Sequence, residues 1–460
     1  MRALTLIVIS FCTALAPAAA AAQDAAELRR EIEQLQKELQ SVTERLQRLE
    51  SQQPPASPPG SAPAGAPPGP AVAAPPPAAT GPSAMDLAQP RQPYSLYQQR
   101  GSGQLLFDIG VTGDFVGNLT QRNVEKAQGG TFSGQENRFF PREIELSLFG
   151  QIDPYASAVV RIEAGEETRG QETPISLAEA SVTLLTLPYG TQAKFGQMRN
   201  RFGYSNEIHE HDLAWVDRPN VMRNFFGPDG LVEKGVEGTF VPDLPFYVEA
   251  LAGIFNGDNA TSFGRSSLQN PLYTGRVRTF LELGDEHAVQ LGMSVAAGTN
   301  EQNLSTTILD WEGRYKYRPD GWLHPLLTLT GEALYSMRTV PVAVDVNQDG
   351  IPDRTDKRTR DHGGYYAAVE VQPFRRWAGG FRYDWSQYPS NPGWEWAIEP
   401  YVTFWPSEFL RFRLAYKHTD RSPQTRDAFN LNGGSARIVD EIFFQGTFIM
   451  GAHPSHAVAS

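Results

Sequence analysis

The sequence predicts an all-β fold, namely a sixteen-stranded antiparallel transmembrane β-barrel preceded by a short N-terminal coiled coil. From Gly101 to Met450 the chain repeats a unit of about ten residues in which apolar and polar side chains alternate. The connectors between these units are short and long in turn. Alternation gives each strand one apolar and one polar face, and unequal connectors are typical of barrels with tight turns at one end and loops at the other.

The first 22 residues (1–22) have the features of a secretory signal peptide. Arg2 supplies a positive charge, an apolar core follows it, and Ala18 to Ala22 offer small residues for cleavage. The only cysteine, Cys12, lies within this segment. The remaining chain is therefore predicted to have no disulfide and no cysteine-based site.

Two further segments precede the barrel. Residues 23–51 are predicted to form a coiled-coil helix, because apolar residues recur there at alternating spacings of four and three. This seam consists of Leu28, Ile32, Leu35, Leu39, Val42, Leu46 and Leu49. Leucine at both core positions leaves dimer and trimer open, and a single helix packed on another domain is the alternative. Residues 52–100, rich in proline and alanine, are predicted to be an extended linker.

Residues 101–460 are predicted to form the barrel. In one strand Leu309 and Trp311 oppose Asp310 and Glu312, and such charged faces fit a water-filled lumen. The predicted strands are 104–117, 140–152, 154–165, 175–185, 190–199, 231–241, 246–256, 272–283, 287–297, 306–318, 325–338, 363–373, 378–387, 394–404, 408–418 and 438–450. Soluble sandwiches and propellers also alternate, but their strands are shorter, averaging about five or six residues, and no propeller repeat is present.

Connector lengths predict how the barrel is oriented. The long connectors are expected at 118–139, 200–230, 256–271, 339–362 and 419–437. Short turns normally face the periplasm, and an even strand count places both ends of the barrel on that side. The expected location is the bacterial outer membrane, with the coiled coil in the periplasm and outer-membrane lipids or lipopolysaccharide as partners. The net charge of −12 gives no reason to expect a nucleic-acid partner.

Three segments resemble the family of sixteen-stranded outer-membrane porins that includes the phosphate-selective (O/P-type) porins. They are Arg142–Gly150 (REIELSLFG), Ala193–Gly203 (AKFGQMRNRFG) before a long loop, and Gly253–Asp258 (GIFNGD). The resemblance implies a homotrimeric channel for small hydrophilic solutes, with a constricting loop at residues 200–230 folded into the pore. Phosphate selectivity in the family depends on basic residues in the pore, whereas this chain is acidic overall. The chain also continues past its last strand, from Gly451 to Ser460.

Basic residues on the predicted pore face and in the predicted constriction are the candidates for contact with anions, since rings of one charge sign set ion preference. The candidates are Lys194, Arg199, Arg201, Arg218, Arg223, Arg314, Lys316, Arg318, Arg411 and Arg413. Acidic residues share both places, among them Glu145, Glu332 and Glu207. The alternative for any one of these charged residues is that it only keeps the lumen face of the barrel hydrated.

One loop carries the spacing of a calcium-binding loop. Oxygen ligands recur in the segment DVNQDGIPDRTD, with a glycine at its sixth position for the tight turn. The candidate ligands are Asp345, Asn347, Asp349, Ile351 (through its carbonyl), Asp353 and Asp356. The twelfth position is aspartate instead of the usual glutamate, and an acidic, solvated loop without Ca²⁺ is the alternative.

Other chemistry has little support in the sequence. His209 and His211 stand two residues apart beside acidic residues, so one metal ion could use both only in an extended loop. No nucleophile elbow, P-loop or dinucleotide fingerprint is present, so an enzyme is not expected. The expected function is passive diffusion of small solutes, with anions such as phosphate among them. A structural anchor tethered to the cell wall through the coiled coil is the alternative.

Overall fold

A computed structural model describes residues 107–166, 175–346, 353–428 and 436–451. The predicted signal peptide (1–22), coiled coil (23–51) and linker (52–100) lie outside the described residues. The same is true of residues 101–106 and 452–460 of the predicted barrel region.

The described chain forms one closed antiparallel barrel, as predicted. Each strand pairs with its sequence neighbours, and β1 pairs with β16 to close the sheet. The strands are β1 (Phe107–Thr120), β2 (Arg138–Asp153), β3 (Ala156–Ala164), β4 (Ile175–Leu187), β5 (Thr191–Arg199), β6 (Val232–Phe240), β7 (Tyr247–Phe255), β8 (Leu272–Leu283), β9 (His287–Thr299), β10 (Ser305–Tyr317), β11 (Leu327–Val344), β12 (Arg354–Phe374), β13 (Trp377–Gln387), β14 (Trp394–Ser407), β15 (Leu410–Arg421) and β16 (Ile438–Gly451).

Helices are few and short in the described residues. They are α1 (Arg122–Ala127), α2 (Asn220–Phe226) and α3 (Pro423–Ala428), with 3₁₀ turns at Pro188–Gly190 and Glu210–Asp212. None of them combines the length and the apolar character that crossing a membrane as a helix requires.

The main difference from the predicted strands is a longer hairpin between β11 and β12. Residues 339–362 are predicted as a loop, but the ladder continues until Val344 pairs with Arg354. β-Branched residues alternate along this stretch, from Thr339 and Val340 to Val342, and favour extended backbone. The hairpin therefore rises above the long-loop end of the barrel.

Side-chain polarity is inverted relative to a soluble protein. On β10, Asp310 and Glu312 are buried on the lumen side, whereas Trp311 between them is 42% exposed on the outer face. Every strand except β3 has at least one large apolar side chain exposed on its outer face, such as Phe195, Ile254 and several others. The barrel wall thus presents an apolar exterior and a charged interior.

The connection from β5 to β6, residues 200–231, folds into the lumen; it is called the inner loop below. Its Trp215, Phe225 and Phe226 are almost completely buried and pack in one cluster with wall residues such as Phe255 and Phe443. The charged strand faces predict a water-filled lumen and the porin resemblance implies a loop inside it, but neither predicts an apolar cluster there. The apolar core of the molecule lies inside the barrel, where the inner loop crosses it.

Candidate functional site

The inner loop is held across the lumen by wall arginines that donate to its backbone carbonyls. The Arg413 guanidinium donates to the carbonyl oxygens of Trp215 at 2.7 Å and Leu213 at 2.9 Å. Arg411 donates to the carbonyl of His211. A loop without regular structure leaves its carbonyls unpaired, so buried guanidinium donors supply the partners that a sheet would otherwise provide.

Asp217 is the electrostatic centre of this attachment. Its carboxylate lies 2.7 Å from Arg382 on β13, 2.6 Å from Lys417 on β15 and 2.9 Å from Arg223 within the loop. Burial opposes the charged form, but Lys417, Arg382 and Arg223 outweigh it and hold the pKa of Asp217 well below its usual value. The loop is therefore tied to the wall by a charged carboxylate with three cationic partners.

A second attachment lies near the start of the inner loop. Glu207 is 2.9 Å from Arg276 and 3.0 Å from Arg278, two lumen-facing residues of β8. Burial disfavours the ionised carboxylate, yet the two arginines lower the pKa of Glu207 overall. Arg201 reaches Glu237 on β6 at 2.6 Å and Glu249 on β7 at 3.2 Å. The same part of the loop is thus fixed to three neighbouring strands.

The third attachment is made by Glu332, a lumen-facing residue of β11. Glu332 accepts hydrogen bonds from the Tyr204 amide at 2.9 Å and the Ser205 hydroxyl at 2.6 Å. The loop can approach this closely because Gly203 has a φ of +64° and no side chain, and a Cβ there would lie 2.0 Å from a Glu332 oxygen. Asp310 faces the same place from β10, and one carboxylate oxygen each of Asp310, Glu312 and Glu332 lies within 4.8 Å of the others.

Below the inner loop, in the half of the barrel with the short turns, lies a cavity of about 200 Å³. Its charged lining consists of Arg314, Arg411 and Arg413 with Glu370 and Asp212. Aromatic rings complete the wall: the Arg314 guanidinium lies 5.0 Å from the Tyr204 ring centre, and Arg413 lies 5.8 Å from that of Tyr401. Guanidinium groups stacked on aromatic rings keep their positive charge, so the cavity holds three cationic groups against two carboxylates.

Five of the predicted basic residues lie in the inner loop or on β5 before it, and each has a partner in the protein. Lys194 pairs with Glu179, and Arg199 donates to the carbonyl of Asp229. Arg201, Arg218 and Arg223 are used in the loop attachments, with Arg218 fully buried and donating to the carbonyls of Ser205 and Ile208. Desolvation and nearby Arg199 lower the pKa of Arg218 to about 10.

The other five predicted residues lie near the short turns. Arg314, Arg411 and Arg413 line the cavity, so the structure brings three of them together. Lys316 follows Arg314 on the same face of β10 and is half-buried. Arg318 lies beyond the end of β10, is exposed, and donates to the carbonyl of Asp285 at 3.4 Å. Arg318 therefore does not line the cavity.

The predicted calcium loop is described only in part. Asn347, Asp349 and Ile351 lie outside the described residues. Asp353 accepts a hydrogen bond from the Val346 amide at 2.7 Å. Asp356 pairs with Arg354 at 3.1 Å and belongs to strand β12, opposite Val342. The twelfth position was expected in a loop and lies instead in a strand of the hairpin. Since three of the six candidate ligands lie outside the described residues, Ca²⁺ binding stays a prediction.

One residue that organises the lumen, Asp217, is not among the candidates selected from the sequence. Arg382 and Glu332 are equally important there, and the alternation of their strands is enough to place both on the pore face. Asp217 carries no such signal, because its partners are 165 and 200 residues away in the chain.

Comparison with known proteins gives similarities in fold and one sequence relative. No protein-family model matches the chain. An uncharacterized protein from Aquifex aeolicus is 29% identical over 352 residues, which is 68% of each chain. The outer membrane channel DcaP of Acinetobacter baumannii is 11% identical, with a TM-score of 0.49 over 77% of this chain and 99% of that one. An anion-selective porin from Comamonas acidovorans is 10% identical, with a TM-score of 0.47 over 75% and 98%.

Proposed function

We propose that the chain is an outer-membrane porin through which small hydrophilic solutes diffuse passively. The observation that carries this proposal is the inverted polarity of a closed sixteen-stranded barrel. Apolar side chains exposed around the outer wall need a hydrocarbon environment, and a closed barrel leaves no unpaired strand edge in it. The short turns then face the periplasm, and the long connections, with the β11–β12 hairpin, face outward.

Anions, with phosphate as one example, are the solutes that the cavity favours in this proposal. Three guanidinium groups (Arg314, Arg411 and Arg413) and two carboxylates (Glu370 and Asp212) line it. Guanidinium groups recognise phosphate and carboxylate oxygens through paired donors. The overall charge of −12 does not oppose this, because acidic residues of the lumen such as Glu207 and Asp217 are matched by arginine or lysine. The proposed assembly is the trimer that the porin resemblance implies.

Reversal potentials in planar bilayers test the proposal. The protein is reconstituted, and single-channel conductance and reversal potential are measured across a KCl gradient, with and without phosphate. Arg314→Gln removes a cavity charge, and Arg318→Gln is the matched control four residues further along, outside the cavity. We expect discrete open levels, anion preference, and a shift toward cations in Arg314→Gln alone.

Two results would overturn parts of the proposal. Equal shifts in both variants would show that the cavity does not set the preference, and cation preference in the unchanged protein would exclude phosphate as the favoured solute. Absence of any conductance from a correctly folded barrel would remove the porin function. The structural anchor would then become the leading hypothesis, tested by envelope integrity after deletion of residues 24–51.

A further inference from the structure

Two histidines of the inner loop meet two glutamates of β2 in a buried cluster. His209 and His211 belong to the loop, and Glu143 and Glu145 point at them from the lumen face of β2. The Nδ1 atom of His209 lies 3.1 Å from a Glu145 oxygen, and Nδ1 of His211 lies 3.1 Å from a Glu143 oxygen. All four residues are more than nine-tenths buried. The sequence shows the histidine pair, but only the barrel brings the glutamates to it.

We propose that this cluster binds one divalent transition-metal ion, with Zn²⁺ as the ion it suits best. One donor atom from each residue lies within 4.8 Å of every other. Tetrahedral zinc, with bonds of about 2.0–2.2 Å, has ligands roughly 3.5 Å apart. Two of the donor pairs are already 3.1 Å apart, and the widest separations would have to shorten by no more than about 1.3 Å. Two imidazole nitrogens select zinc, cobalt, nickel or copper over magnesium and calcium, which prefer oxygen ligands alone.

The charges and hydrogen bonds around the cluster fit this assignment. Two buried carboxylates need about two positive charges beside them, and one divalent ion supplies both. The second ring nitrogen of His211 lies 3.5 Å from Asp212, which is the kind of outer carboxylate that orients a metal-binding imidazole. Asp212 is next in sequence to His211, so the loop itself brings this carboxylate to the ring.

Arg161 is the one neighbour that has to move. Its guanidinium contacts the Nε2 atom of His209, and that nitrogen carries a proton when Nδ1 binds a metal. The Arg161 guanidinium also lies 3.8 Å from Glu145, a proposed ligand, and 3.8 Å from Glu179, which is outside the cluster and is an alternative partner. Rotation toward Glu179 would remove a positive charge from the site and complete the binding geometry.

A metal ion here would fasten the inner loop to β2, three strands around the barrel from β15, where the Asp217 attachment lies. The ligands come from both elements, so binding energy would appear as stability of the loop position. The site does not depend on the proposed porin function, because metal binding can be measured on a barrel whether or not it conducts.

The test uses the untagged, refolded barrel, because a polyhistidine tag would bind metal itself. The protein is stripped with a chelator, titrated with Co²⁺, and then displaced with Zn²⁺, and the visible absorption of four-coordinate Co²⁺ is recorded. We expect one equivalent per chain, and a loss of affinity of more than about 100-fold in His211→Asn and His209→Asn. Glu145→Gln keeps the shape of its side chain, so it provides a test even where a histidine variant does not assemble.

His418→Asn is the matched control. His418 lies 2.6 Å from the Asp440 carboxylate and belongs to no metal-type cluster among the residues that the structure describes. Its replacement is expected to leave Co²⁺ binding unchanged. Folding of each variant is checked by heat-dependent electrophoretic mobility. Absence of Co²⁺ and Zn²⁺ binding at micromolar concentrations, or binding that survives in His209→Asn, His211→Asn and Glu145→Gln alike, would overturn the assignment.

Discussion

Replacing Asp217 with asparagine tests whether charge holds the inner loop across the lumen. Asp217 is 3% exposed and is the one loop carboxylate that contacts Arg382, Lys417 and Arg223 together. Asparagine keeps the size and one acceptor oxygen but removes the charge. The positive side chains of Arg382, Lys417 and Arg223 then lie together in a buried position with one negative charge fewer to balance them.

The structure sets the expected size of the effect. Removing one partner from a buried ion pair costs about 3–5 kcal/mol. Arg382 keeps Asp384 at 2.7 Å and Glu399 at 2.8 Å, so the lower end of that range applies. Since about 1.4 kcal/mol is a factor of ten in an equilibrium constant, loss of about 3 kcal/mol raises the population of released loop roughly 100-fold.

Hydrogen exchange of backbone amides measures this directly. We expect exchange within residues 213–226 to accelerate by about 100-fold in Asp217→Asn, while amides of the strands stay protected. Asp258→Asn is the control, because Asp258 pairs with a Lys234 side chain that is 56% exposed, and such pairs contribute little. Unchanged loop exchange in Asp217→Asn, or equal acceleration in both variants, would refute the electrostatic attachment.

Two further predictions concern the same loop. Gly203→Ala should destabilise the loop by about 1–3 kcal/mol, because the φ of Gly203 is +64° and the added Cβ would meet Glu332. Thermal unfolding should show this loss of stability. Gly313→Ala is the control and should change little, because a Cβ added there has its nearest neighbouring atom 3.7 Å away. The second prediction is acid tolerance. Glu207 and Asp217 have lowered pKa values in the folded state, so their contribution is fully present above the ordinary carboxyl pKa of about 4 and is lost as pH falls through the lowered values. These two carboxylates should therefore leave the unfolding midpoint unchanged between about pH 5 and 8. A loss of loop stability near pH 6 would contradict this prediction.

The strands could be predicted from the sequence because one short-range rule governs them. A residue such as Trp311 between Asp310 and Glu312 assigns both faces of β10 without knowledge of any other strand. The strand prediction fails in part at the β11–β12 hairpin, where residues 339–362, which include the calcium-type spacing, were predicted to be a loop. Backbone pairing there continues to Val344 and Arg354, because the turn signals lie only at the tip.

For the lumen, the sequence predicts which side chains face inward but not which partners they contact. The sequence shows that Arg411 and Arg413 face inward, but it does not show that loop carbonyls take their donors. Such partners depend on the path of a 32-residue connection, whose contacts lie up to 200 residues away in the chain. The position of the inner loop was expected only through the porin resemblance, since no periodicity specifies it.

Charge placement, more than charge count, sets the electric field inside this barrel. The net charge of −12 suggests a preference for cations. Yet carboxylates such as Glu207 and Asp217 are matched within about 3 Å by cations that also hold the loop, and the field of such a pair falls off faster with distance than that of a single charge. The cavity beneath the loop retains guanidinium groups on two sides, Arg314 from β10 and Arg411 with Arg413 from β15. The charged groups that line this cavity are therefore three guanidinium groups and two carboxylates, a local excess of positive charge in a chain that is negative overall.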